Sequence, residues 1–419
     1  MNASPSTTDL ADSVPPYLDQ IADLLRGLMP KAWKWAASDE LAAADAEANR
    51  LDLLRSSIRL DRQKHAEIYS AADATAAAIG LADANITLYQ GQNPAEWNAT
   101  AVALGKTTHL VLHGPLAEKL GRIELTAVLA HEMGHVLLRQ LQEGKYATAH
   151  RLLESLASDP SAAVSHLESA RLAKLYAEIF CDRVACHIVD DANVVISALL
   201  KIGTQSNEVD SESYFDQADE IFAADSNASQ QNTHPEMHIR ARAIQAWATD
   251  NAVGDGDTQT SADKSIAEMI QGSPQLDRLD LIAQSSLTSL TRRIVDAFFR
   301  HRWLRTDAAL SHAKLFFENY QPTSVSNEQL HALADEIKTC TPSIKQYASY
   351  LLLDFATSDR NCENLPLAVA LDLAERFSLS DTITDLAKKE LRLRVKQIRD
   401  LNKKKADLIA AADQGDLGA

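Results

Sequence analysis

The 419-residue sequence has few of the residues that build disulfide-rich, fibrous or strand-dominated proteins. It contains four cysteines, 14 glycines and 12 prolines, and aromatic residues make up 5% of the chain. Four cysteines in a chain of this length do not form a disulfide framework, so we predict reduced thiols. Alanine and leucine are abundant instead, and they favour helices over sheets. We therefore expect a mainly α fold.

Long apolar runs and a leader peptide are also missing. No stretch reaches the roughly 18 apolar residues that a membrane-spanning helix needs. The opening MNASPSTTDLADSVPPYLDQ has neither the basic residues nor the apolar run of a signal peptide. These absences predict a cytoplasmic protein with no transmembrane segment.

Basic residues are also fewer than acidic ones. Lysine and arginine number 41 against 58 acidic residues, which gives a net charge of −17. Nucleic acids and anionic membrane surfaces both reward basic patches, so this balance argues against either as a partner.

The pattern of residue types divides the chain into four segments. Residues 1–15 are polar and predicted to be disordered, and residues 251–265 have the Gly, Asp, Ser and Thr content of a linker. Between them, residues 16–250 form the predicted first domain. Residues 266–419 form a second, all-helical domain.

Within the first domain the sequence predicts a small sheet followed by long helices. Short strand-like runs occupy 84–90, 99–105 and 108–114. Helical patterns cover about 116–145 and 164–190, whereas the polar residues 203–232 are expected to be rich in loops.

The clearest chemical motif is AVLAHEMGHVLLRQ at residues 127–140. His131 and His135 are four apart, so on a helix their imidazoles share a face and can bind one metal ion. Glu132 lies beside that face, where it can accept a proton from the water that a zinc ion activates. The motif predicts a catalytic zinc site with one Zn²⁺ per chain.

A catalytic zinc keeps three protein ligands and an open position, so a third ligand must come from elsewhere. The helical stretch KLYAEIFCDRVACHI at 174–188 offers Glu178, with Asp182 one turn later to orient an imidazole. His166 and His187 are alternative ligands. Cys181 could also bind the metal, although its surroundings favour a small buried hydrophobe.

Together these residues resemble the zinc metallopeptidases related to HtpX and the CaaX prenyl endopeptidases. The shared features are Glu124-Leu125, then AVLAHEMGH, then Glu178 with Asp182, then Thr233-His234-Pro235 followed by Arg240. The resemblance spans about residues 60–250. It implies a gluzincin-type fold with a small sheet beside the active-site helix.

The resemblance also implies roles for two further residues. His234 would lie near the zinc and Arg240 would organise the site, and either could stabilise the oxyanion of the tetrahedral intermediate. The chain departs from the family at Glu236, where a second proline is usual, and in lacking the transmembrane helices of the best-known members.

These features predict a zinc-dependent endopeptidase acting on protein or peptide substrates. We expect the substrate to pair as an added strand with 108–114. A non-hydrolytic, stress-related adaptor with a structural zinc is the alternative, and a latent protease regulated by the appended helical domain combines the two.

The second domain carries no catalytic signature. Residues 349–381 resemble, more weakly, helical domains related to the tellurite-resistance protein TerB, with Asp354, Asp359 and Glu363 at comparable places in an Asp-rich turn. Arg360 replaces the usual glycine, which argues against metal binding there. This domain, including the basic stretch 388–408, is the predicted site for a regulatory protein partner.

Overall fold

The computed structural model describes residues 10–104, 107–224, 228–253 and 261–415. It confirms a mainly α architecture with one small sheet. The chain divides into two compact units, Met1–Ser273 with Asp280–Ile282, and Pro274–Leu279 with Ala283–Ala419.

This division falls later in the chain than the predicted linker at 251–265. Part of that stretch lies outside the described residues, but helix Ser261–Gln271 belongs to the first unit. Its Ile266 and Ile270 are buried in the first unit's core, and Asp263 pairs with Arg183 at 2.6 Å. The linker-like composition reflects a connection between two helices of one unit.

The first unit contains eleven helices and four strands among its described residues. In chain order they are α1 (Pro16–Leu28), α2 (Pro30–Ala36), α3 (Asp39–Ser56), β1 (Ser57–Arg59), α4 (Ala66–Ala78), β2 (Asn85–Gly91), β3 (Asn98–Leu104), β4 (Thr107–His113), α5 (Leu116–Lys119), α6 (Arg122–Ala157), α7 (Val164–Val189), α8 (Ala192–Thr204), α9 (Ser211–Ala224), α10 (Met237–Val253) and α11 (Ser261–Gln271).

The four strands form one sheet in the order β1-β2-β4-β3. Strand β4 is parallel to β2 and antiparallel to β3. The three predicted strands are therefore present, but β4 lies inside the sheet and β3 lies at its edge. The expectation that a substrate pairs with 108–114 is wrong, because both sides of that strand are already occupied.

The two faces of the sheet pack against different helices. Leu88, Leu110 and Leu112 face the main core, whereas Tyr89 and Val111 pack with Leu53 of α3 on the other face. Alternate residues point to opposite faces of a strand, so β2 and β4 are buried on both sides.

Helices α6 and α7 form the centre of the unit and approach each other closely at Gly134. A Cβ atom at this position would lie 3.1 Å from Cα of Cys181, tighter than most real contacts. Glycine therefore permits a short distance between the two helices. This contact brings α7 within reach of the two histidines of α6.

Helix α6 bends sharply at residues 141–144, after His135. These residues leave helical geometry, and Gln142, Glu143 and Gly144 have φ values of 47°, 56° and 80°. The helical direction resumes at Lys145, which pairs with Asp19 at 2.7 Å. The predicted helix end at about 145 coincides with this bend rather than with the end of the helical segment.

Two other expectations need correction. Residues 203–232 contain helix α9, whose Tyr214 and Phe215 pack on a hydrophobic cluster shared with α8 and α10. Residues 10–15, predicted to be disordered, are ordered: Leu10 and Val14 are buried, and the Ser13 carbonyl accepts a hydrogen bond from Arg183. Residues 1–9 lie outside the described part of the chain.

The second unit is helical throughout its described residues and has its own core of leucines and phenylalanines. Its helices are α12 (Leu281–Phe298, which begins in the first unit), α13 (Asp307–Phe316), α14 (Asn327–Thr339), α15 (Pro342–Ala356), α16 (Leu365–Arg376), α17 (Ser380–Glu390) and α18 (Val395–Gln414).

The Asp-rich turn of this unit is engaged in contacts of its own. Asp354 binds His312 at 2.6 Å, and Asp359 caps the short turn Arg360–Cys362 by accepting a hydrogen bond from Asn361. In the described part of the chain, a cluster of three metal-ligating atoms is found in the first unit, at His131, His135 and Cys181, and not here.

Candidate metal centre

The two motif histidines lie on one face of α6, as their spacing predicts. Their ring centroids are 5.2 Å apart, and the rings are nearly perpendicular. His131 is buried and His135 is half-buried, with 30% of its side chain exposed. Both present Nε2 to the same point beside α7.

Glu178 of α7 completes this arrangement. Its Oε2 lies 3.3 Å from Nε2 of His131, and its Oε1 lies 3.3 Å from Nε2 of His135. Oε2 is buried and makes no well-aligned hydrogen bond with the described residues, although Nε2 of His131 lies 3.3 Å away and Nη2 of Arg240 lies 3.8 Å away. A buried carboxylate oxygen that lacks a well-aligned donor is costly. Two imidazole nitrogens and this oxygen form a donor set that suits zinc.

Asp182 and Arg240 hold His131 in place through its Nδ1 atom. Nδ1 of His131 donates to Oδ1 of Asp182 at 2.9 Å, which leaves Nε2 directed at Glu178. Arg240 donates to both oxygens of Asp182 at 2.8 and 2.6 Å. Burial opposes ionisation of Asp182, but Arg240 outweighs it and keeps the pKa of that carboxyl below its usual value. A charged Asp182 fixes the tautomer and the orientation of His131.

Cys181 is the competing third ligand, because its thiol also lies within 4.8 Å of the histidine nitrogens. It is fully buried against Gly134, and burial raises the pKa of its thiol well above the usual value. Glu178 reaches both histidines and has an oxygen without a donor, whereas Cys181 fills the gap between the helices. His166 and His187 do not line the cavity at the histidine pair.

Glu132 lies beside the histidines and is held by the sheet. Its Oε2 accepts a hydrogen bond at 3.0 Å from the backbone N–H of Ala101 in β3. Burial raises the pKa of the Glu132 carboxyl, while the neighbouring histidines oppose the shift. A carboxylate whose proton affinity is raised is better suited to accept a proton from water at neutral pH.

His234 lies at the open side of the centre. Its Nε2 is 3.7 Å from Oε1 of Glu178, and 60% of its side chain is exposed. The loop before it is tied down where Arg171 donates to the carbonyls of Ser229 and Gln231. Glu236, the departure from the family pattern, joins the same loop by accepting a hydrogen bond from the Gln230 N–H.

A cavity of about 220 Å³ opens beside Glu132 and Glu178. One side of it carries the polar residues of the centre, and the other side is apolar. The apolar side comes from the end of the loop before β3, β3 itself, α6 and α8: Trp97, Ala99, Ala127, Val128, Val195, Ala198, Leu199 and Ile202. Glu124 fixes α8 at this wall through Ser197 at 2.7 Å and Lys201 at 2.7–2.8 Å.

Metal binding at this centre is expected to release a proton from His131. Burial favours neutral His131, but Asp182 and Glu178 outweigh it and raise the pKa of its imidazole to about 10. At neutral pH the metal-free imidazole is therefore protonated, and zinc must displace that proton. Zinc affinity should rise with pH up to that pKa.

Calorimetry in buffers of different ionisation enthalpy measures this directly. We expect about one proton released per zinc near neutral pH. Cys181→Ala should leave the number unchanged, because its thiol is not a ligand in this account. If zinc binding released no proton, His131 would not be protonated in the metal-free protein. A smaller release in Cys181→Ala would indicate that the thiol binds the metal.

The predicted site residues therefore fall together in space. His131, Glu132, His135, Glu178, Asp182, His234 and Arg240 all line or support one cavity. Sequence reasoning missed the backbone of Ala101, because the strand that reaches Glu132 depends on the order of strands in the sheet.

Among the described helices, none combines the length and apolarity that crossing a membrane requires.

Comparison with known proteins points to the same region. Residues 62–248 match the model of Peptidase family M48. The plastoglobule-localized metallopeptidase 48, chloroplastic, of Arabidopsis thaliana is 31% identical over 179 residues, which cover 38% of this chain and 51% of that protein. The chain thus spans about half the length of this curated relative. No solved structure matches the chain.

These comparisons do not support the weaker resemblance of the second unit to TerB-related domains. They do agree with the family that the motifs of the first unit indicate. The family similarity therefore lies in residues 62–248, which match peptidase family M48, the family of HtpX and the CaaX prenyl endopeptidases.

Proposed function

We propose that the protein is a zinc-dependent endopeptidase whose metal is held by His131, His135 and Glu178. The observation that carries this proposal is the convergence of Nε2 of both histidines on the two Glu178 oxygens, each at 3.3 Å. One oxygen of that carboxylate makes no well-aligned hydrogen bond with the described residues. A bound cation would satisfy it, and the match of residues 62–248 to a metallopeptidase family supports zinc as that cation. The single donor set proposed here would hold one zinc per chain.

A catalytic zinc supplies Lewis acidity, which activates water and polarises the scissile carbonyl. In this proposal Glu132 accepts the proton of the attacking water and passes it to the leaving amine. The Ala101 N–H keeps Glu132 aimed at the centre. Asp182 holds His131 in place, and Arg240 keeps Asp182 charged.

His234 is the better of the two proposed oxyanion donors. Arg240 donates to both oxygens of Asp182, and its Nη2 also lies 3.8 Å from Oε2 of Glu178, so its guanidinium is occupied by these two carboxylates. His234 is largely exposed at the mouth of the cavity. Its imidazole can therefore reach an oxyanion that forms next to Glu178, whereas Arg240 acts as a positioning residue.

The substrate would pair with β3 rather than with β4. Ala101 points its N–H away from β4 and toward Glu132, and Ala99 and Ala103 share that orientation because alternate residues of a strand face the same side. An extended peptide on this edge would run past Glu132. The apolar cavity beside it would accept an apolar side chain next to the scissile bond.

Ala103→Pro tests this pairing. It removes an outward N–H without disturbing the ladder to β4, because proline is tolerated on the open side of an edge strand. We expect KM for a peptide substrate to rise about tenfold, since one or more backbone hydrogen bonds are lost. Ala103→Ser, with zinc content as a folding check, serves as the control. An unchanged KM in the proline variant would exclude pairing at this position.

Digestion of an unfolded protein such as casein tests the function. Zinc-loaded protein should cleave casein, a chelator should stop cleavage, and added zinc should restore it. Cleavage sites should place an apolar residue on one side of the scissile bond. Cleavage that survives complete zinc removal would contradict the proposal.

The alternative is a non-hydrolytic adaptor with a structural zinc. Structural sites usually have four protein ligands and no general base. Glu132 is half-buried beside the pair of histidines and is aimed by a backbone N–H, which favours catalysis. The predicted cytoplasmic location remains a prediction, since the relative is named for the plastoglobule.

Latency imposed by the second unit is tested by truncation. The shortened protein should end after Ile282, because α11 and residues 280–282 belong to the first unit, where Asp280 accepts a hydrogen bond from Tyr17 at 2.8 Å. A latent enzyme should gain activity on truncation. Equal activity of the two proteins would rule out inhibition by the second unit.

A further inference from the structure

A second cavity, of about 260 Å³, adjoins the candidate metal centre on the side of His135. Glu178 and His234 line both this cavity and the apolar one. The second cavity differs in chemistry, because Arg139, His150 and Lys174 contribute to its walls. We call it the basic cavity.

The basic cavity is unusual in a chain with a net charge of −17. Arg139 makes no ion pair within the described part of the chain. Its neighbour Arg151 is paired with Asp45 at 3.0 Å, and Lys174 is paired with Glu154 at 3.0 Å. Glu178 is the one carboxylate among the residues that line the cavity, and it is a proposed metal ligand. Arg139, whose side chain is exposed, therefore has no carboxylate partner among the described residues.

Arg139 and His150 are exposed side chains of this wall, so both can be reached by a ligand from solvent. The guanidinium carries a permanent positive charge, and an imidazole N–H can donate one hydrogen bond. A fork of guanidinium donors and an imidazole N–H together suit a carboxylate.

We propose that the basic cavity is a substrate subsite that binds a carboxylate close to the scissile bond, with Arg139 as its main specificity-determining residue. The carboxylate could be an Asp or Glu side chain, or the free C-terminus of a short peptide. The proposal rests on the proposed peptidase function, because the subsite would bind part of a substrate whose scissile bond lies at the neighbouring metal centre. One side of the cleft would then select an apolar group and the other an anionic one.

Binding measurements test this subsite independently of hydrolysis. The zinc-loaded Glu132→Gln protein is titrated with fluorescent hexapeptide pools that carry Glu, Gln or Lys at one fixed position. Each pool is made with a free or an amidated C-terminus. Scanning the fixed position along the peptide locates the preferred carboxylate, and the two C-terminal forms distinguish its source.

The glutamate pools, or the pools with a free C-terminus, are expected to bind about tenfold or more tightly than their neutral counterparts, as charge-assisted hydrogen bonds imply. Adding Arg139→Gln should abolish the difference while leaving neutral pools within about twofold. Arg139→Glu should reverse the preference, so that pools with lysine at the fixed position bind more tightly than pools with glutamate. Arg55→Gln, which removes an exposed arginine of α3, is the matched control and should change nothing.

Equal binding of charged and neutral pools would overturn the subsite. A preference that persists in Arg139→Gln would overturn the role of Arg139. If the wild-type protein cleaves nothing while the Arg139-dependent preference is present, the peptidase function fails and the carboxylate site stands. Zinc content of each variant shows whether the centre is intact.

Discussion

Glu132→Gln is expected to lower kcat about a thousandfold or more, which is the upper range for loss of a general base. Glutamine has the shape of glutamate but cannot take a proton from water. The Ala101 N–H can still donate to its amide oxygen, so the side chain should stay in place. Zinc binding should be unchanged, because Glu132 is not among the proposed ligands.

The assay compares casein cleavage and zinc content of the wild type and the variant. Glu124→Gln is an informative control, since it alters a glutamate of the same helix that binds Ser197 and Lys201 instead of the centre. Its effect should be far smaller. A Glu132→Gln protein that retains most of its activity would remove Glu132 from the mechanism.

Glu178→Ala is expected to weaken zinc binding more than about a hundredfold, because loss of a direct ligand should exceed the 10–100-fold effects typical of changes to residues that only orient the ligands. Cys181→Ala should keep zinc affinity within about threefold, since a buried thiol that only packs costs little when shortened by one atom. The pair separates the two candidate third ligands of α7. Their sequence positions differ by three residues, so both variants alter the same helix.

Zinc-edge X-ray absorption on the wild-type protein provides the complementary measurement. A shell of nitrogen and oxygen neighbours without sulfur supports Glu178. A sulfur neighbour at about 2.3 Å, together with zinc loss in Cys181→Ala, would assign the ligand to Cys181 instead.

Much of the centre was predictable because its ligands lie on two helices with regular spacing. His131 and His135 are separated by one turn, and Glu178 and Asp182 repeat that spacing on α7. The helical period therefore puts each pair on one face without any knowledge of the fold. Gly134 in the motif has a structural explanation in the close approach of α6 to α7.

The edge strand was not predictable, because it depends on how strands order in space. Residues 98–104 and 107–113 read alike as short apolar strands, and only the pairing shows that the earlier one is outermost. The polar stretch around α9 was read as loop, although Tyr214, Phe215 and Ala218 give it an apolar face. The prediction of loops followed the polar composition of this stretch, because its helical spacing of apolar residues is weak.

The basic cavity could not be read from the sequence either. Arg139 and His150 lie on either side of the bend in α6, and Lys174 comes from α7. Without the bend at 141–144, no spacing rule places Arg139 near His150. The same bend leaves Gln142 and Glu143 in the left-handed region, which side chains other than glycine seldom adopt.

The proposed hydrolysis of peptide bonds is tested by cleavage of casein in ¹⁸O-labelled water with zinc-loaded, full-length protein. The wild type should produce new peptides whose C-terminal carboxylates carry the label, and Glu132→Gln should produce none. The contrary result would come from two wild-type proteins, the full-length chain and the protein ending at Ile282. If both of them hold zinc and neither cleaves casein, the centre is not a peptidase site.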